Sequence, residues 1–375
     1  MRNMFKYLMG LFIIIALTAC ERKIINEPPV VEVVDLLPLE EGQFTINHFR
    51  VGLTNTGLLS ISGLTYEAGL WIGMEKNGEI RGNLVHTQPP YSNYIAEQAG
   101  RKIGVYALEA GTLYNADGWP SDLEAPRDRI GPKIYGDKML WTALLSDTTI
   151  SEPLVYAYPI KDLLVTAAVY AFNSEDLKDV FFIKYCIKNL SYETWENLRA
   201  GFFTDTDIGF SLNNKTAYDS IRQISYTYDT LDFNVAGYKF LETPKNSGVY
   251  SHRIMRKNNY INPEFGEYSF KRPEQIMYVL KGLSNDGQPM INPVTNKETL
   301  FAFTGDPITR TGWLDSPVDV RSFLSTGEFT LKPREKAWMT VVFVYHKGNN
   351  LMNSIKEMKL KIERIKANKS LWDFK

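Results

Sequence analysis

Apolar and polar positions alternate with a period of two along most of the chain after Phe44, the signature of β-strands with one face in a core. Two such runs, 70–74 and 80–85, flank Asn77-Gly78, a dipeptide suited to the two positive-φ positions of a type I′ hairpin turn. The pattern predicts further strands over 155–159, 163–172, 180–190, 198–208, 221–228, 235–241, 321–331 and 337–345. Over 180–190, Phe181, Ile183, Tyr185 and Ile187 point one way, and Phe182, Lys184, Cys186 and Lys188 the other. That predicts one core face and one mostly solvated face. Cys186 falls on the solvated side as a small residue under the lysine stems rather than a reactive thiol.

Helical periodicity occurs twice. Residues 273–281 open with Pro273 and end at Gly282, with Ile276, Val279 and Leu280 on one stripe. Residues 354–367 place Ile355, Met358, Ile362 and Ile365 on one face and lysines opposite, which suits a brace on a sheet. Many short strands and few helices predict a mainly β fold. It is an antiparallel β-sandwich, single or two in tandem divided near 150–175, with a short internal helix and a C-terminal amphipathic helix. The prolines between 245 and 320 mark a loop-rich section of the kind that is usually functional or mobile.

Composition narrows the function classes. The chain has 375 residues, 44% of them hydrophobic, with 42 basic against 43 acidic side chains. It is too apolar for a disordered chain and too neutral to bind nucleic acid by neutralising phosphates. With 2 cysteines it is neither a disulfide scaffold nor a multi-cysteine zinc protein. His48, His86, His252 and His346 are far apart, and no HExxH, GxSxG, P-loop or GxGxxG pattern is present.

The N-terminus carries an address. Arg2 and Lys6 precede an apolar run through Ile13-Ile14-Ile15, which is too short to span a bilayer as a stable helix. It leads into Leu17-Thr18-Ala19-Cys20, which resembles the bacterial lipobox. The resemblance implies a signal peptide over 1–19 and lipidation of Cys20. It also implies a proline-interrupted tether over 20–43, then the sandwich body over 44–375. An uncleaved membrane anchor is the alternative. Cleavage removes Arg2 and Lys6, leaves a net charge of −3, and leaves Cys186 as the one free thiol. Each buried acyl CH₂ adds about 0.8 kcal/mol of membrane affinity. Glu21 after the cysteine points to the outer membrane.

Two clusters are candidates for chemistry. Asp205 and Asp207 leave a predicted strand at i, i+2, with Gly209 and then Asp219 following. Those oxygens suit a hard cation such as Ca²⁺, although the spacing departs from an EF-hand. Capping and turning the chain is the alternative use. Asp306, Trp313 and Asp315, followed by Asp319 and Arg321, resemble a glycan site, with an indole platform beside acids. The same residues also suit turns, an end plug, and a pair between Arg321 and Asp315 or Asp319.

The run Phe181 to Leu190, the Asp205-x-Asp207-x-Gly209 segment and Tyr218-Asp219 recur in a recognisable block, with Gly305-Asp306-Pro307, Gly312-Trp313-Leu314-Asp315 and Ser325-Thr326-Gly327-Glu328. Together with Gly69-Leu70-Trp71-Ile72-Gly73 and Gly136 to Trp141, they resemble large secreted β-rich proteins of Bacteroidota-like bacteria. That family has no assigned activity, so the resemblance implies export and a β-rich body, and no catalytic residue. Many of its members end in a type IX sorting domain, where this chain carries a lipobox. Pro333-Arg334 stands where such proteins often have Pro-Gly, which favours a type I over a type II turn. The sequence thus points to a lipid-anchored envelope protein that binds a glycan or an envelope protein, or serves a structural role. The alternatives are a glycan-processing enzyme using clustered aspartates and a Ca²⁺-stabilised adhesion or scaffold module.

Overall fold

The computed structural model describes residues 33–85, 94–95, 97–98, 101–146, 158–256, 265–266, 272–317 and 319–374. Cys20 with its signal segment, His86, Pro263 and most of the strand expected at 155–159 lie outside them. From Val33 onward the chain forms one compact unit.

Two nine-stranded antiparallel sheets face each other. The first runs from Tyr106–Glu109 through Lys138–Ser146, Leu163–Ala171, Val180–Asn189, Lys336–Lys347, Asn234–Glu242 and Ile224–Asp229 to Asn214–Asp219. The second runs from Val249–Arg256 through Val320–Thr326, Trp195–Thr206, Thr65–Lys76, Leu59–Ile61 and Phe49–Thr54 to Glu41–Ile46. Alternation sends Val165, Ile183, Tyr185, Val341 and Phe343 of the first sheet into one core with Leu70, Ile72, Phe202 and Leu324 of the second. The fold is therefore the mainly β, antiparallel sandwich that the patterning predicts, built as one pair of large sheets. Lys138–Ser146 pairs directly with Leu163–Ala171, so the first sheet continues across 150–175. Val33–Asp35 pairs in parallel with Leu113–Asn115, and Glu41–Ile46 is already an edge strand, so the folded body begins ahead of Phe44.

The hairpin at Asn77-Gly78 forms with both residues at positive φ, 53° and 80°. The predicted strand 321–331 is broken: Val320–Thr326 pairs along Trp195–Thr206, and Phe329–Leu331 resumes on the same strand past a register shift. Arg334 sits at φ 63°, with Glu335 N–H donating to Lys332 O at 3.0 Å. That geometry is a type II turn, contrary to the expected type I. The positive φ swings Arg334 over the ring of Tyr192, 4.6 Å from its centroid.

The largest correction concerns Val180–Asn189. Its second face is not solvated: Phe182, Lys184 and Cys186 are all buried. Helix α2, Leu351–Ala367, covers this side of the sheet with Ile355, Met358, Ile362 and Ile365. Trp119, Tyr135 and Trp372 complete the layer. Each of those helix side chains contributes roughly 1.5–3 kcal/mol of burial. Asn350 caps α2 by accepting the N–H of Asn353 at 2.9 Å. Gly237 lets the helix close down, because a Cβ there would lie 2.5 Å from the Met358 sulfur. Cys186 is a space filler, as expected, and burial pushes its thiol up to about 12.

The short α1, Glu274–Leu280, does the corresponding work on the outer face of the second sheet. Ile276, Met277, Val279 and Leu280 pack on Trp71, Phe203, Met255 and Phe323. Gly201 is required beneath it, since a Cβ there would meet the Phe323 ring at 2.2 Å. Among the described residues, no helix is long and apolar enough to cross a membrane.

Candidate functional site

A cleft of about 560 Å³ opens where strand Val249–Arg256 ends, between the loop 284–293 and the segment 302–316. Trp313 stands in its wall at 60° to Phe303, with ring centroids 5.2 Å apart. Polar groups come from a tight turn in which Ser284 N–H donates to Gln288 O at 2.8 Å and Gly287 takes φ 78°. That turn presents Ser284, Asp286 and Gln288 to the cleft.

The floor holds an ion pair. Arg256 Nη2 donates to Asp315 Oδ1 at 2.8 Å, with both side chains almost fully buried. Asp315 also accepts the backbone N–H groups of Thr216 at 2.9 Å and Ser316 at 2.8 Å. Burial raises its pKa, against the opposing pull of Arg256 and those N–H groups. The Arg256 guanidinium lies 5.5 Å over the Phe303 ring, and its Nε and Nη1 have no hydrogen-bond partner among the described residues.

Trp313 and Asp315 therefore meet in one cleft, as the sequence suggests, but Asp306 does not join them. Its carboxylate accepts the Ile308 N–H at 2.9 Å and the Thr309 hydroxyl at 3.1 Å, so it holds a local turn. It lines a different cleft of about 470 Å³, with Asp219 and Lys359. Asp219 is thereby separated from Asp205 and Asp207. It accepts the N–H groups of Ile221 and Arg222 and pairs with Lys359 at 2.9 Å. Those N–H bonds and Lys359 outweigh its burial and hold its carboxyl below the usual range.

The third acid beside Asp205 and Asp207 is Asp319, with one oxygen from each lying within 4.8 Å of the others. Antiparallel register sets Asp205 directly across from Glu67 on one side and Arg321 on the other. Arg321 donates to Asp205 Oδ2 at 2.8 Å and also binds Asp319. The Arg321 guanidinium thus bridges two of the three acids, as in a buried salt bridge, while the three carboxylates remain close enough together to share a cation. Asp205 Oδ1 is buried without a hydrogen-bond partner among the described residues. Burial pushes Asp205 up to about 8, only partly opposed by Arg321. Arg321 therefore pairs with Asp319, one of its two expected partners, and with Asp205, but not with Asp315.

The residues missed by sequence reasoning are arginines. Arg253 is fully buried on the α1 side of the second sheet, bound through Nη2 to Asn285 and 5.2 Å over the Phe265 ring. Its Nε and Nη1 have no partner among the described residues, and burial draws its pKa down to about 9. The available signal was Arg253 and Arg256 within an otherwise strand-like apolar run.

No protein-family model and no curated protein matches this chain. Solved structures resemble it at low similarity. One is the Slr1438 protein of Synechocystis sp. PCC 6803, at 10% identity and TM-score 0.37, covering 83% of this chain and 98% of that one. Another is a putative aldose 1-epimerase of Escherichia coli K12, at 8% identity and TM-score 0.34, covering 82% and 100%.

Proposed function

We propose that this chain is a lipid-anchored binding protein of the bacterial envelope that holds a glycan in the Trp313 cleft. The observation that carries the reading is the lining of that cleft. An aromatic wall stands beside Asp286, Gln288 and Ser284, over an arginine fixed by Asp315. Apolar ring faces and planar hydrogen-bonding groups together suit a sugar, which offers C–H patches and hydroxyls at once. The envelope address rests on the lipobox at Cys20 alone.

Binding is preferred to hydrolysis for a geometric reason. A glycosidase needs two carboxyl groups roughly 5–9.5 Å apart across the scissile bond. Of the two acids lining the cleft, Asp286 and Asp315, the second is committed to Arg256 and two N–H groups; Asp306 is committed to its own turn, and Asp205 to Arg321.

A glycan screen of the purified protein, read by thermal shift, tests the site. At least one glycan should raise Tm saturably, and Trp313→Ala should abolish the rise while the unliganded Tm changes little. No responding glycan, or a response that survives Trp313→Ala, overturns the assignment. For the anchor, Cys20→Ala should move the protein from the membrane to the soluble fraction.

A further inference from the structure

The outer face of the first sheet carries a second cavity, of about 300 Å³, independent of the Trp313 cleft. Its floor is cross-strand: Thr166 pairs with Cys186 and Cys186 with Trp338, while Ala168 pairs with Lys184 in the next row. Its walls are the segment 121–135 and the C-terminal Phe374, whose ring stacks on Tyr135 with centroids 4.5 Å apart.

The charge around this cup is one-sided. Arg127, Lys133, Lys184 and Lys336 line it, against Glu124. Glu124 is itself consumed, bridging Lys188 and Lys336, the latter at 2.7 Å. Burial works against its ionisation, but those two lysines outweigh it and hold its carboxyl below the usual range. It reaches them from a left-handed backbone, φ 66°, which a glutamate adopts only when its surroundings impose it. Lys184 is neutralised by Glu242 at 3.2 Å. Arg127 and Lys133 remain: both act at longer range on the exposed Asp128, whose carboxyl is held low chiefly by the Gly131 and Ile130 N–H groups, and neither forms an ion pair among the described residues. Lys133 instead lies 5.9 Å over the rings of both Tyr135 and Phe374.

We propose that this cup binds a small anionic sugar, a phosphorylated or carboxylated hexose, whose ring sits against Tyr135 and Phe374 and whose anion meets Arg127 and Lys133. The volume is at the lower end for ligand pockets and admits one hexose-sized ring. Two cations outside any ion pair, one of them against aromatic walls of low dielectric, attract an anion more strongly than the same charges on open surface.

Isothermal titration with glucose 6-phosphate, glucuronate, glucose and inorganic phosphate tests the site. At least one of the two anionic sugars should bind at least tenfold more tightly than glucose and than phosphate alone. The affinity should fall as salt rises, and fall at least tenfold in Arg127→Glu/Lys133→Glu. Arg127→Gln/Lys133→Gln, which only neutralises, should lose less and controls for any disturbance of the fold. Trp313→Ala should leave this binding intact, which separates the cup from the cleft. Equal binding of glucose and both anionic sugars, no binding at all, or insensitivity to charge reversal overturns the proposal. Phosphate binding as tightly as the sugars overturns the part played by the rings.

Discussion

The outer faces of the two sheets each bury a cation, and they treat it differently. On the first sheet, Lys184 is 1% exposed and its ammonium reaches Glu242 at 3.2 Å, Thr340 Oγ1 at 3.3 Å and the Trp372 carbonyl at 3.4 Å. The Trp338 ring lies 5.0 Å away. All three of its protons have acceptors. On the second sheet, Arg253 is 0% exposed, has Asn285 as its hydrogen-bond acceptor, and leaves Nε and Nη1 without partners among the described residues. A buried charge is normally paired, because leaving donors unmade costs about 1–3 kcal/mol each and an uncompensated ion costs more. Lys184 therefore works as a structural tie between sheet and C-terminal tail. Arg253 is a local destabilisation that the rest of the body absorbs.

Three substitutions sharpen that contrast. The largest loss should come from a third buried cation, Arg321, which holds Asp205 and Asp319 together. Arg321→Met leaves the Asp319 charge uncompensated and strips Asp205 of its donor, and should lower unfolding stability by about 3–5 kcal/mol, measured by urea denaturation. Lys184→Met should cost less, about 1–3 kcal/mol, because Glu242 is near enough to solvent to recover hydration. Arg253→Met fills similar space without a charge and should leave stability unchanged or raise it. If Arg253→Met loses as much as Arg321→Met, the contrast between satisfied and unsatisfied cations is wrong.

The same contrast explains how far the sequence could be read. Most strand positions and the two helices were legible because period-2 and 3.6-residue patterns are local, but Val249–Arg256, inside the section expected to be loop-rich, is an edge strand. The faces of Val180–Asn189 separate as the alternation says. What covers the second face was not legible. Lys184 and Lys188 look solvated until α2, the segment 119–135 and the C-terminal tail are laid over them, which is a long-range matter. The candidate sites show the same split. Trp313 and Asp315 lie close in sequence and stay close in space, whereas Asp319 displaces Asp219 beside Asp205 because sheet register, not spacing, decides which carboxylates meet. Arg334 at positive φ was likewise invisible, since its sequence neighbours permit either turn.

A pH dependence with two opposing arms is expected as well. Asp205, pushed up to about 8 chiefly by burial, is protonated in the folded chain where the unfolded chain has lost that proton. Between about pH 4 and pH 8 the native state thus binds more protons, so stability declines as pH rises through that window and levels off above it. His252 acts the other way. Its Nδ1 donates to the Ala302 carbonyl at 3.0 Å, its Nε2 accepts from the Ser225 hydroxyl at 2.9 Å, and burial lowers its pKa to about 4. Between about pH 6.5 and pH 4 the unfolded chain takes up a proton that the native imidazole refuses, so stability falls as pH falls. The two slopes cancel between about pH 4 and pH 6.5, so the Tm profile should be nearly flat there and decline from about pH 6.5 to pH 8. Asp205→Asn, which mimics the protonated carboxyl, should remove that alkaline limb and uncover the acid limb of His252. An alkaline limb that persists in Asp205→Asn would mean that Arg321 keeps Asp205 ionised at neutral pH, and that this buried pair is as well satisfied as Lys184 with Glu242.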